Sequence, residues 1–231
     1  MIKNFRVFFL GFVILCLMSG CVVYKTLLTD IPLISKQNDL RVDAGVSLDE
    51  SATATVSYGL TDRLAVQGHG SMSFKDVYYL QAAAGLYKNK GNNRVLEIYS
   101  GFGYGYADAS YEPSPGNLFG NYQLYFAQFN YGRIASESSN TELGFAIKAG
   151  YLHSRLTDDN YYNETPGIYT FGKYTDDCIL IEPMGMIRFG MINRRFSVKL
   201  GGTLMYKFTN TGKDLPYSLF NLGIALNFRN K

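Results

Sequence analysis

Cysteine, charge and long apolar runs are all scarce in this chain of 231 residues. The three cysteines at positions 16, 21 and 178 are too few for the disulfide framework of a small secreted scaffold. Charged residues make up 18% of the chain, against about 25% in ordinary soluble domains. The balance of 22 basic against 19 acidic residues does not indicate a nucleic-acid partner. The apolar run over 7–18 is shorter than the about 20 residues that a membrane-spanning helix needs.

The first twenty residues have the layout of a secretory signal peptide. Two basic residues precede the apolar run, and a Ser-Gly pair stands directly before Cys21. Small residues before a cysteine resemble the lipobox of bacterial lipoproteins, in which the thiol is diacylated and the peptide is cut before the cysteine. We therefore predict a lipoprotein signal peptide over 1–20 and lipidation at Cys21, with an ordinary secretory signal as the alternative. Cys178 then has no disulfide partner, so stability must come from packing or from a membrane.

Alternation of apolar and polar residues dominates the chain from Leu40 almost to its end. Residues 21–38 carry no such period and are interrupted by Pro32, so we expect a periplasmic tether there. A β-barrel domain is predicted over 39–231. The expected strands cover 40–48, 52–60, 63–74, 77–87, 94–107, 122–133, 141–153, 178–190, 196–207 and 217–228. Pro183 cannot donate a ladder hydrogen bond, so a bulge is expected in the eighth strand.

The connections between the predicted strands alternate in length. Short turns fall on one side, whereas the other side has the long polar loops 108–120 and 155–176. This layout is typical of barrels in the outer membrane. We predict an all-β, up-and-down antiparallel β-barrel of about ten strands, with eight as the alternative, that spans the membrane. The N-terminus then lies on the periplasmic short-turn side, where a lipid on Cys21 reaches the inner leaflet.

Composition decides which face of the strands points outward. The polar face consists of Gly, Ser, Thr, Asn and Gln with few charges, whereas a water-facing surface should be rich in Lys and Glu. Aromatic residues on the apolar face cluster near the strand ends, as at the two interfaces of a membrane. They are Tyr58, Tyr131, Phe189, Phe196 and Phe228 at one rim and Phe74, Tyr78, Tyr104, Tyr106, Tyr125 and Tyr151 at the other. The apolar face is therefore expected to contact lipid.

In these features, residues 39–231 resemble a small bacterial outer-membrane β-barrel protein with a lipoprotein-type signal. The resemblance rests on architecture and implies two partners. One is the lipid bilayer, and the other is the outer-membrane insertion machinery, which reads a C-terminal strand such as the one that ends at Phe228. The resemblance implies no catalytic motif.

Charged residues gather on the inward face of the predicted barrel. We expect a lumen ion-pair cluster of Arg41, Asp43, Glu97, Lys148, Glu182 and Arg188, with Glu142 and Lys199 facing the same way. Both signs of charge in a narrow lumen imply ion pairs and hydrogen bonds. A selective pore or a proton path is the alternative, although a barrel of about ten strands is nearly filled by its own side chains.

His69 and Ser71 stand two residues apart on the inward face of the third predicted strand. Some outer-membrane lipid hydrolases use a His and a Ser with this spacing, with a carboxylate that orients the imidazole. No third member is evident, so a polar lumen pair is the favoured interpretation. Two histidines on separate strands do not make a metal site, and neither a metal nor a cofactor is predicted.

The loops 108–120 and 155–176 are rich in Tyr, Asn and Gly, which is the composition of recognition surfaces and equally of loops that cap a barrel. The leading hypothesis is a non-enzymatic outer-membrane β-barrel lipoprotein whose surface loops serve adhesion, ligand contact or envelope integrity. One alternative is an outer-membrane lipid hydrolase that acts through His69 and Ser71. Another is a lipid-tethered soluble barrel that binds an apolar ligand inside.

Overall fold

The computed structural model describes residues 23–73, 77–111, 116–136, 140–158, 172–191, 194–208 and 217–230. Strands β1 to β11 cover Leu40–Ser47, Ser51–Gly59, Leu64–Ser73, Tyr78–Asn89, Arg94–Tyr111, Gly116–Arg133, Thr141–Asp158, Gly172–Met191, Arg194–Gly202, Leu204–Lys207 and Phe220–Arg229. No helix in these ranges is long and apolar enough to cross a membrane. The predicted signal peptide 1–20 and Cys21 lie outside the described residues.

Antiparallel pairing closes the strands into one barrel. From β1 to β8 each strand pairs with the next along the chain, while β8 pairs with β9, β9 with β11, and β11 with β1. β10 pairs with β8 in line with β9, so β9 and β10 are two parts of one interrupted strand. The result is a closed barrel of 10 strands in up-and-down order. The predicted fold class is confirmed, with ten strands rather than eight.

The interruption between β9 and β10 lies beside Pro183. β8 keeps a one-to-one register with β7 through this proline, whose side chain points outward. The break is on the other side of β8, between the pairs Met184–Gly201 and Ile181–Leu204. The expected bulge is therefore absent from the β7–β8 ladder. Pro183 has no N–H to donate, and it lies beside the gap between β9 and β10, which both pair with β8.

The two ends of the barrel differ in their connections. The turn end holds 60–63, 90–93, 134–140 and 192–193, and the loop end holds 48–50, 74–77, 112–115, 159–171 and 208–219. Strands β5 to β8 have 18 to 20 residues, whereas β1 to β3 have 8 to 10. The barrel therefore rises at the loop end into a tall wall, formed by β5 to β8, opposite a low rim, formed by β1 to β3.

Strands extend into both ends of the two long loops that were predicted over 108–120 and 155–176. β5 continues to Tyr111 and β6 begins at Gly116, while β7 continues to Asp158 and β8 begins at Gly172. Packing explains the difference, because Leu118 and Leu156 on the inner side of the tall wall are buried in an apolar cluster. The tips of these hairpins, 112–115 and 159–171, lie outside the described residues.

The outer surface of the barrel is apolar around its whole circumference. Exposed large apolar side chains include Val46, Val56, Met72, Leu80, Ile98, Phe129, Ile147, Ile187, Leu200 and Leu226, one from each of the ten strands. Inside, most of the buried charges lie in the turn half, and much of the larger apolar cluster lies in the loop half. This arrangement is typical of membrane barrels. The alternative of a soluble barrel around an apolar ligand requires the apolar face of the strands to point inward. In the structure this face points outward, so the chain does not form such a barrel.

Candidate functional site

The lumen is filled by the chain's own N-terminal segment. Residues 23–34 are buried, with Lys25 alone partly exposed, and the chain reaches solvent again at 36–38. We call residues 23–38 the plug. The prediction of a periplasmic tether over 21–38 therefore differs from the structure, which packs the described part of that segment inside the barrel. The cause is composition, because the segment carries many apolar side chains that an open tether would leave in water. These are Val23, Tyr24, Leu27, Leu28, Ile31, Leu33 and Ile34.

At the loop end, the plug is bound to the residues that precede β11. The Ser218 N–H donates to the Tyr24 carbonyl at 2.9 Å, and the Thr26 N–H donates to Ser218 Oγ at 2.7 Å. Thr26 Oγ1 lies 2.8 Å from Thr203 Oγ1, at the break between β9 and β10. The Tyr24 hydroxyl donates to Glu182 Oε1 at 3.1 Å. These bonds satisfy polar groups that burial would otherwise leave unpaired.

An apolar cluster surrounds the plug in this half of the lumen. The rings of Tyr24 and Tyr122 meet edge to face with centroids 5.6 Å apart, and Tyr79 stacks on Tyr122 at 5.9 Å. Further members of the cluster are Val23, Leu27, Leu118, Leu124, Phe126, Leu152, Leu156 and Leu180. Because buried side chains of this kind pack as densely as a protein interior, the layer leaves little room for water between plug and wall.

Lys148 links the plug to the barrel wall at mid-height. Its Nζ donates to Thr29 Oγ1 at 2.9 Å and lies 3.7 Å from Glu182 Oε2. The same ammonium group lies 5.1 Å from the centroid of the Phe126 ring. Glu182 also accepts a hydrogen bond from Thr203 at 2.9 Å. The buried Lys148–Glu182 pair is thus supported by hydrogen bonds on both sides, which such a pair needs to offset its desolvation.

Glu142 is the centre of a buried charge network in the turn half of the lumen. Its carboxylate lies 2.9 Å from Arg41 Nη1 and 3.0 Å from Arg188 Nη1, and it also pairs with Arg195. Arg229 Nη1 lies 3.8 Å away. One carboxylate cannot neutralise four guanidinium groups, so further acidic residues are needed in the same layer.

The plug supplies one of these acids, Asp30. Arg188 Nη2 lies 2.5 Å from Asp30 Oδ1, so that Arg188 bridges Asp30 on the plug and Glu142 on β7. Lys199 Nζ lies 3.5 Å from Asp30 Oδ1 and pairs with Asp43 of β1 as well. The charges of the plug and of four barrel strands, β1, β7, β8 and β9, are therefore mutually dependent.

A second acid, Asp39, holds the lower end of the plug where it meets β1. Arg229 donates from Nε to Oδ1 and from Nη2 to Oδ2 of Asp39, at 2.8 and 2.5 Å. The Ser35 N–H donates to Asp39 Oδ2 at 2.9 Å. The Asn38 N–H donates to the Gly59 carbonyl at the end of β2, at 2.8 Å. This end of the plug is thus fixed at the turn end of the barrel.

The backbone of the plug is strained just after Pro32. Leu33 has a φ of 54°, in the left-handed region that costs a residue with a side chain about 1–2 kcal/mol. Arg41 donates to the Leu33 carbonyl at 3.1 Å, and the Ile34 N–H donates to Glu97 Oε1 at 2.6 Å. Two side chains of the barrel wall therefore hold both polar atoms of the peptide group that joins Leu33 to Ile34, which allows the strained conformation to persist.

All six residues of the predicted ion-pair cluster lie buried in the lumen, but they form separate layers. Arg41, Arg188 and Asp43 belong to the network in the turn half, whereas Lys148 and Glu182 pair at mid-height. Glu97 differs from them. Among the described residues it makes no ion pair, and it accepts hydrogen bonds from Asn130 Nδ2 at 2.9 Å and from the Ile34 N–H.

Four members of the network were not among the predicted site residues. Asp30 and Asp39 lie in or next to the segment assigned as a tether, and Arg195 and Arg229 lie at strand ends. An alternating strand pattern cannot identify Asp30 and Asp39, because these two residues are not on a strand. The usable signal was an acidic residue within an apolar segment, since a buried carboxylate requires a buried cation.

The predicted His69–Ser71 pair does not form a nucleophile and base. His69 is buried in the lumen, and its Nδ1 lies 2.9 Å from Thr55 Oγ1. Over the described part of the chain, no hydrogen bond joins His69 to Ser71, and no carboxylate is hydrogen-bonded to the imidazole. Within the same ranges, no group of three or more His, Cys, Asp or Glu residues could hold a metal ion.

The outer face of the tall wall changes from apolar to polar toward the loop end. The His153 ring Nδ1 lies 2.8 Å from Asp177 Oδ1, and the Tyr151 hydroxyl donates to the same oxygen at 2.6 Å. These two hydrogen bonds hold the pKa of the Asp177 carboxyl below its usual range, and the bond from Tyr151 has the larger effect. Beyond Tyr151, the outward residues of β7 are His153, Arg155 and Thr157. The apolar band therefore ends at Tyr151, and the top of the tall wall stands above it.

No protein-family model and no curated protein sequence matches this chain. Solved structures of bacterial outer-membrane barrels are similar to it. The outer membrane protease OmpT of Escherichia coli is 9% identical with a TM-score of 0.55, over 84% of this chain and 94% of that one. The N-terminal β-barrel domain of Pseudomonas aeruginosa OprF is 13% identical with a TM-score of 0.33, over 84% and 98%. Omp33 of Acinetobacter baumannii is 10% identical with a TM-score of 0.34, over 84% and 98%.

The likeness to OmpT concerns the fold alone, because identity is so low. It agrees with the closed antiparallel pairing and with the outward apolar face described above. This chain therefore has the closed β-barrel fold of bacterial outer-membrane proteins.

Proposed function

We propose that this protein is a non-enzymatic β-barrel lipoprotein of the bacterial outer membrane, with a closed lumen, that acts through the surface at its loop end. Adhesion, contact with a ligand and envelope integrity are the roles open to such a surface. The observation that carries the proposal is the occupation of the lumen by the plug, from Tyr24 at the loop end to Asn38 at the turn end. A barrel filled along its length by its own chain is not built as an open pore.

Insertion in a membrane is supported by the outward apolar band and by aromatic pairs near its two edges. Tyr78 and Tyr106 stack with ring centroids 5.8 Å apart near the loop end, and Phe189 and Phe196 lie 5.2 Å apart near the turn end. Aromatic residues at both edges are expected at the interfaces of a bilayer with water. The lipid bilayer is thus the first partner that we propose.

Two further partners follow from the ends of the barrel. β11 ends at Arg229 with Phe228 exposed on the outer face, as expected for a strand that the outer-membrane insertion machinery reads. A surface ligand would meet the tall wall, which is built from parts of the segments 108–120 and 155–176. The polar residues there, including His153 and Arg155, stand above the apolar band.

An enzymatic role has no specific observation in its favour. Thr55 occupies Nδ1 of His69, and the described contacts of Ser71 include no base. Because one fold hosts unrelated functions, the protease activity of OmpT does not carry over to this chain through the barrel alone. The hydrolase alternative is removed if cells that lack the protein keep their lipid composition, and it is revived if a lipid change is reversed by the wild type but not by Ser71→Ala.

Conductance in planar lipid bilayers tests the proposal. The full mature chain should insert without producing stable current steps, whereas a variant that lacks residues 23–34 should conduct ions, since its lumen is open. The matched control is the double substitution of the exposed residues Lys36 and Gln37 by Ala, which should stay silent. Stable current steps from the full chain at low voltage would show that the lumen is not closed.

Fractionation tests the location separately from the lumen. The protein should sediment with the outer membrane and run as a heat-modifiable band, both as the wild type and as Cys21→Ala, because the barrel alone anchors it. Recovery of the Cys21→Ala variant from the soluble periplasm would contradict an integral barrel.

A further inference from the structure

The plug runs through the barrel in one direction, with its start at the loop end. Tyr24 forms a bridge with Tyr217, in the connection that precedes β11 at the loop end. Asn38, at the other end of the plug, bonds to Gly59 at the turn end. The 14 residue steps between Tyr24 and Asn38 reach at most about 50 Å when extended. That length exceeds the about 30 Å of a hydrocarbon core, even with a bend at Leu33.

The contacts of Lys25 also lie at the loop end. Its Nζ donates to the Asp49 carbonyl at 2.8 Å and to Ser73 Oγ at 3.2 Å. Asp49 lies in the connection between β1 and β2, and Ser73 is the last residue of β3. Both belong to the loop end of the barrel. The Lys25 side chain and the Tyr24 backbone therefore both place the start of the plug at the loop end.

We infer that the mature chain begins at the loop end, and that the acyl group predicted on Cys21 enters the membrane leaflet on the loop side. Cys21 is two residue steps from Val23, and that length of chain spans at most about 7 Å. With the loops of an outer-membrane barrel facing outward, this leaflet is the outer one. The inference rests on the proposed outer-membrane lipoprotein and reverses the side on which the sequence alone placed the lipid.

Epitope exposure on intact cells tests the side. A short epitope inserted between Val22 and Val23 should bind antibody on intact cells as well as the same epitope inserted in 159–171. An epitope inserted in 137–139, at the turn end, should bind only after the outer membrane is permeabilised. Detection of the Val22–Val23 epitope only in permeabilised cells would overturn the inference. Labelled palmitate should enter the wild type and not Cys21→Ala, and a lack of incorporation in the wild type would overturn the placement of the lipid.

Disulfide trapping separates failure of the inference from failure of the proposed function. Thr26→Cys with Thr203→Cys, in a Cys178→Ala background, should cross-link on oxidation, because the two side-chain oxygens are 2.8 Å apart. The control pair Thr26→Cys with Ser197→Cys should keep both thiols, because Ser197 lies six residues from Thr203 toward the turn end, about 20 Å away along a strand. If the protein is a heat-modifiable barrel but the Thr26–Thr203 pair fails to cross-link, the path of the plug through the lumen is refuted. The proposal of an outer-membrane barrel would still stand.

Discussion

At the scale of single residues, the buried charges of the lumen depend on one another. Glu142 is in contact with arginines from β1, β8 and β9, and Arg188 is shared between Glu142 and Asp30 of the plug. Replacing a complete buried ion pair by apolar residues is often nearly neutral, whereas removing one partner leaves a buried charge without compensation. We therefore interpret the network as what fixes the position of the plug against the wall.

The first prediction concerns Glu142→Gln. The amide keeps the size of the side chain but removes the negative charge from among Arg41, Arg188 and Arg195, so these guanidinium groups repel one another in a buried site. The free energy of unfolding should fall by about 3–5 kcal/mol. Urea titration of the protein in lipid vesicles, followed by the heat-modifiable band, measures the change.

Glu50→Gln is the matched control for this substitution. Glu50 is exposed in the connection between β1 and β2, and an exposed charge contributes at most about 1 kcal/mol. An effect of Glu142→Gln as small as that of the control would mean that the network does not hold the lumen together.

At the scale of elements, β5 makes room for the aromatic side chains of its neighbours. A Cβ atom on Gly103 would lie 2.0 Å from the Tyr79 hydroxyl, and a Cβ atom on Gly105 would lie 2.2 Å from Cζ of Tyr122. The rings of Tyr79 and Tyr122, which stack on each other, therefore lie directly on the backbone of β5. These glycines allow large side chains to fill a lumen that also has to hold the plug.

Gly103→Ala should consequently destabilise the barrel by about 1–3 kcal/mol, because Tyr79 has to leave its position in the apolar cluster. The comparison is Gly68→Ala, on the outer face of β3, where a Cβ atom would meet no atom within 4 Å. Both substitutions place alanine in a strand, so the difference between their unfolding midpoints reports the clash alone. Equal midpoints would contradict the packing of Tyr79 on β5.

At the scale of the whole molecule, the alternation of side chains determines the barrel but not its contents. The outward face of each strand was predictable because lipid contact demands an apolar residue at every second position, as from Leu143 to Tyr151 in β7. The upper part of the tall wall was missed because the apolar residues change face there. In β7, Leu156 points inward into the apolar cluster while Arg155 and Thr157 point outward, so the alternation of the lower part of the strand, with apolar residues outward, does not continue.

The plug was missed for a different reason. A segment that is neither a strand nor a helix has no period, and its burial is visible only through composition. Flexible tethers are rich in Gly and Ser, whereas residues 23–34 are mostly apolar and include a single acidic residue, Asp30. A partner for that acid was present in the sequence at Arg188, but the pairing depends on contacts between residues 158 positions apart.

The central claim, that residues 23–38 form a plug inside the barrel, is tested most directly by the reactivity of single thiols. Thr29→Cys and Gln37→Cys, each in a Cys21→Ala, Cys178→Ala background, place a thiol in the buried and in the exposed part of the same segment. In the folded barrel, a water-soluble maleimide should label the Gln37→Cys variant rapidly and the Thr29→Cys variant at least about 100-fold more slowly, a ratio that corresponds to about 2.7 kcal/mol for local opening. Unfolding in detergent at high temperature should make the two rates equal. Equal rates in the folded protein would show that the segment is a tether in water and that the lumen is not closed by it.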